Sequence, residues 1–69
     1  MTNQRKVAEA SLRGVELAQS GQHSGWRAVE VELLREGYRD ARQVVAPTSI
    51  KNMLNQICAE AQAAIRRAG

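Results

Sequence analysis

The last third of the chain carries apolar residues in an unbroken rhythm: Ile50, Leu54, Ile57, Ala61, Ala64 and Ala68. The steps are four, three, four, three and four residues. That is the spacing of a helix that packs lengthwise along another helix. A strand would instead alternate every second residue. The rhythm therefore predicts an all-α fold.

Helical punctuation divides the chain into three segments. The first is expected over residues 3–19, with Thr2 or Asn3 as its N-cap. At about 100° per residue, Val7, Ala8, Ser11, Leu12, Val15 and Ala18 share one face. Arg5, Lys6, Glu9, Arg13 and Glu16 take the other, and Glu9 precedes Arg13 by the four residues that favour an ion pair. Gly21 is placed as a left-handed cap. Ser24 is the natural N-cap of the next segment, which Trp26 opens.

The second segment covers residues 25–46 and admits two readings. Gly37 ends one helix and Tyr38 opens another, or a single helix runs through Gly37. In the continuous case Trp26, Val29, Leu33, Leu34, Tyr38, Ala41, Val44 and Val45 fill an arc of about 200°. Gly37 would then face the core and admit a close backbone approach. Pro47 closes the segment, since the residue before a proline avoids the helical region. Thr48 or Ser49 caps the third helix, expected over residues 48–67, with Met53, Cys58 and Ile65 flanking its seam. The architecture expected is one domain over residues 1–69: an up-down-up three-helix bundle, with a fourth short helix if the chain breaks at Gly37.

Size limits what such a bundle can do. A chain of 69 residues buries only roughly 60% of its unfolded surface. Cys58 is the only cysteine and His23 the only histidine, so neither an internal disulfide nor a metal cluster is expected. No cofactor and no small-molecule substrate are indicated. Regular helix packing and self-association remain as sources of stability. There is no apolar run of membrane-spanning length. The polar, basic start from Met1 to Val7 carries no secretory pattern, and the cytoplasm is the default expectation.

Ten basic against seven acidic residues give a net charge of +3, which permits a nucleic-acid partner without requiring one. Arg35, Arg39 and Arg42 form a stripe if the second segment is continuous. With Gln43 they are the candidate contacts of a helix-turn-helix whose turn is Gly37. Glu32 and Glu36 interleave with the stripe, which equally describes a solvated, ion-paired face. The motif fits in part: Leu33 stands where a small residue is wanted and Glu36 where an apolar one is. Trp26 and Tyr38 read as plugs at the ends of a bundle. Cys58, on an apolar edge with no base beside it in sequence, reads as an inert thiol. No nucleophile, acid/base dyad or phosphate loop is present, so no catalytic residue is assigned.

The leading expectation is a non-catalytic interaction module, a small regulator or adaptor that binds a second copy or another protein through helix contacts. Its expected interface is Leu54, Cys58, Ala61, Ala64, Ile65 and Ala68. A small DNA-binding regulator using the arginine stripe is the alternative.

Overall fold

The computed structural model describes residues 4–68, with side chains from Val7 to Ala68. The chain is all-α. Four helices pack against one another: α1 (Gln4–Gln19), α2 (Trp26–Arg35), α3 (Ala41–Val45) and α4 (Thr48–Ala68). The N-cap expected at Thr2 or Asn3 lies outside the described residues. α1 and α4 run side by side in the same direction and α2 runs back between them. Gly21, at the end of α1, lies against Ala61 and Ile65 of α4, whereas Arg13 meets Glu36 just past the end of α2. The up-down-up arrangement holds, with α3 as a short fourth helix.

The chain breaks at Gly37, so the continuous second helix is not formed. Gly37 has φ 97° and is exposed. Its N–H donates to the Leu34 carbonyl at 3.1 Å, and the Tyr38 N–H reaches back to the Leu33 carbonyl at 3.0 Å. This pair of bonds is a Schellman closure, which satisfies carbonyls the helix end would leave open. Gly37 therefore points away from the core; no atom comes within 4 Å of where its Cβ would stand. The break swings α3 inward, and Ala41, Val44 and Val45 are all buried.

The core consists of Ala10, Leu17, Ala18, Val29, Leu33, Ala41, Val44, Val45, Leu54 and Cys58. Val7, Trp26, Tyr38, Ile50 and Ile57 pack around it. Two expected faces are corrected by this list. On α1 the buried line is Ala10, Gly14, Leu17 and Ala18, not the line through Ala8, Ser11 and Leu12. The true face is turned by roughly 90°. Apart from Leu17 that line consists of small residues, and at Gly14 Leu33 Cδ1 and Val29 Cγ1 lie 3.6 Å from the Cβ position, an ordinary contact. α2 supplies the bulk and α1 supplies the room. On α4, Cys58 stands at the centre of the seam rather than its edge, and Ala64 and Ala68 are exposed.

The helix starts also differ from expectation. Gly25, not Ser24, occupies the N-cap position of α2 and offers no side chain. The cap comes from α4 instead: Asn55 Oδ1 accepts the Trp26 N–H at 2.9 Å. Thr48 is already helical, and the Pro47 carbonyl accepts the N–H groups of Ile50 and Lys51, each at 3.1 Å. Pro47 thus takes the N-cap position expected for Thr48 or Ser49. Gly21, at φ 75°, is the left-handed cap of α1 as expected.

Candidate interaction surface

α4 fastens the other elements through polar side chains on one flank. Lys51 places Nζ 4.5 Å from the centroid of the Trp26 ring, and Arg27 lies over the same ring at 5.7 Å. One turn further along α4, Asn55 caps α2. Gln62 Nε2 then donates to the His23 carbonyl at 3.0 Å and holds the loop between α1 and α2. Asn55 and Gln62 both stand off the apolar spacing of α4. The only signal of their role is that Gly25, at the start of a helix, brings no cap of its own.

The charged face is largely paired. Arg13 donates from Nε and from Nη2 to the two carboxylate oxygens of Glu36, at 2.8 and 2.9 Å. It also lies 3.6 Å from Glu16, so its partners are Glu36 and Glu16 instead of Glu9. The hydrogen bonds from Arg13 hold the Glu36 carboxyl below its ordinary range and push the Arg13 guanidinium up in turn. Arg35 lies 3.7 Å from Glu32, and Arg42 3.8 Å from Glu30. With the chain broken at Gly37, the arginine stripe loses the single helix that would align it. Arg35 belongs to α2, Arg39 to the turn, and Arg42 and Gln43 to the outer side of a helix of five residues.

Of the residues expected at an interface, Leu54 and Cys58 lie in the core and offer no free surface. α1, α2 and α3 already cover that part of the seam. Burial raises the Cys58 thiol above its ordinary pKa, as desolvation of a thiolate requires. Ala61 is half-buried. Ala64 and Ala68 are exposed, and Ile65 is 54% exposed, with its Cδ1 packed over Gly21.

The apolar surface left uncovered lies elsewhere. Between α1, α3 and α4 lies a small, partly enclosed pocket of about 60 Å³, lined by Ser11, Gly14 and Val15, by Val44 and Val45, and by Ile50, Met53 and Leu54, over Leu33. No charged residue lines it. Met53, which lines it, is 39% exposed, and Leu12, on the outer side of α1 and outside the lining, is 68% exposed. The rotation of α1 explains both, because it leaves Ser11 and Val15 at the pocket and turns Leu12 to the surface. The wide apolar arc expected on the second segment is mostly folded into the core, through Val29, Leu33, Ala41, Val44 and Val45. Val31 and Leu34 form a smaller exposed pair on the outer side of α2.

Among the described residues, no group of three or more His, Cys, Asp or Glu side chains stands close enough to hold a metal ion. None of the helices is long and apolar enough to cross a membrane, again among the described residues. No family model matches this chain, and comparison with curated proteins and with solved structures returns no match.

Proposed function

We propose that this chain is a non-catalytic helical interaction module, a small cytoplasmic regulator or adaptor that acts by helix-to-helix contact. The observation that supports this reading is the large apolar side chains left exposed among the described residues: Leu12 on α1, Val31 and Leu34 on α2, and Met53 and Ile65 on α4. Isolated exposed leucines are ordinary on a protein surface. Large apolar side chains exposed on three helices of so small a chain leave surface for a partner to cover, and exposed apolar patches mark contact sites. Such surfaces suit a further helix, which would bury its own apolar stripe against them. The single reduced thiol of Cys58 suits a reducing compartment.

The test compares the wild-type chain with Leu12→Lys in an extract of the native host, by size-exclusion chromatography. Circular dichroism first establishes that both are helical. The wild type is expected in a species larger than 7.6 kDa, and the variant at its own mass. Migration of the wild type at its own mass, both purified and in extract, would overturn the reading. A salt-sensitive shift of nucleic acid, abolished by charge reversal at Arg39 and Arg42, would replace it with the DNA-binding alternative.

A further inference from the structure

We infer that the pocket between α1, α3 and α4 binds a compact, uncharged alkyl group of about five carbon atoms, carried by a small molecule or forming the end of a longer one. The first observation is how the pocket is closed. Gly14, Leu33, Val44, Val45 and Leu54 are buried and form its inner wall. Val15 and Ile50 are half-buried, while Ser11 and Met53 are exposed and therefore stand at the mouth. A solute can enter between these two without any core residue moving out.

The lining selects the class of ligand. Water is a poor occupant, because a water molecule inside a protein needs roughly two to four polar partners. Ser11 is the one residue of the lining with a polar side chain. Among the described residues, no buried side-chain nitrogen or oxygen lacks a hydrogen-bond partner, so no polar group inside calls for a polar ligand. No charged residue lines the pocket either, and an ion entering it would lose its hydration without compensation. An apolar group gains on both counts: it leaves water, and it supplies the contacts that the bare walls lack.

Volume limits the size. One water molecule fills roughly 10–15 Å³ of such a cavity. The pocket, at about 60 Å³, therefore takes about five atoms of that size. Each carbon up to that number should tighten binding about fourfold, the worth of one buried methylene. Further carbons stay at the mouth beside Met53 and gain less. So few atoms hold a free molecule to millimolar affinity.

The experiment titrates the purified full chain with ethanol, isobutanol, isopentanol, hexanol and octanol, and follows the methyl resonances by NMR. Saturable shifts are expected at Val15, Val44, Ile50, Met53 and Leu54, and not at Val31 or Ile65. Affinity should climb about fourfold per carbon as far as isopentanol. Beyond it, a plateau marks a free small molecule as the ligand, and a continued shallower gain marks the end of a longer chain. Ser11→Leu, which narrows the mouth, should weaken isopentanol by more than about tenfold while circular dichroism remains helical. Met53→Ala should carry the fourfold steps on to a longer alcohol, and Val31→Ala, on the outer side of α2, should change neither. Shifts that do not saturate, or that are as large at Val31 and Ile65, overturn the inference, as does an affinity independent of chain length. These are read on the wild type and hold even where a variant fails to fold. A folded Ser11→Leu chain that binds isopentanol as the wild type does also overturns it. Failure here would leave the interaction role standing, because that role rests on the exposed side chains outside the pocket.

Discussion

At the residue scale, Gly14 and Asn55 determine how the helices meet. Gly14 is buried in mid-helix with ordinary helical geometry, and an added methyl would meet Leu33 and Val29 at 3.6 Å, a normal van der Waals distance. Gly14→Ala should therefore raise stability by about 1 kcal/mol, from helix propensity and a less flexible unfolded chain. Urea denaturation checks this, and a loss of stability would show that α1 and α2 are closer than the contacts imply. Asn55→Ala removes the side chain that caps α2 and should cost about 1 kcal/mol, whereas Asn52→Ala, exposed on the same helix, should cost little. Glu36 contributes through pH. Its carboxyl titrates lower in the folded than in the unfolded state, because Arg13 donates two hydrogen bonds to it. The stability it brings is complete above the ordinary carboxyl range and is lost as pH falls through the lowered value. Glu36→Gln should thus be less stable than the wild type at neutral pH, and the two should converge in acid. A constant difference across an acid titration would refute this. These roles were hard to read from sequence for a common reason. Large apolar residues such as Leu12 suggest the buried face, but Gly14 and Ala10 define it by leaving space that another helix fills. Asn55 and Gln62 resemble solvent residues until the loop they hold is folded against them.

At the element scale, the rhythm from Ile50 to Ala68 identified α4 and its direction of packing correctly as far as Ala61. Beyond that point the spacing continues but the neighbours end, so Ala64 and Ala68 meet solvent. Periodicity records what a helix can bury, not how far its partners extend. The same reasoning applies to Gly37. Ala41, Val44 and Val45 fall on the apolar arc whether or not the helix is continuous, so phase alone leaves both geometries open. Contact with α1 and α4 decides between them, because a break lets a five-residue helix cover the end of the bundle. A side chain at φ 97° is strained, and Gly37→Ala should cost about 1–2 kcal/mol without raising helix content. A gain of helicity by circular dichroism would mean that α2 and α3 can fuse, and that the break is weakly specified.

At the scale of the whole molecule, every helix touches the other three, including the shortest. No pair of elements can separate while the remainder keeps its packing. Unfolding should accordingly be a single transition, in which the fluorescence of Trp26 and the far-UV ellipticity change together. Trp26 is well placed to report it, standing at the first turn of α2 with Lys51 of α4 over its ring. Two separated transitions would show an independently stable half. The capping of α2 by Asn55 has a further consequence for fragments of the chain. The residue that completes the start of α2 lies 29 positions later in the chain. Without α4, the hairpin of α1 and α2 has an open helix end and an unfilled flank. A fragment stopping at Pro47 should therefore hold little fixed structure.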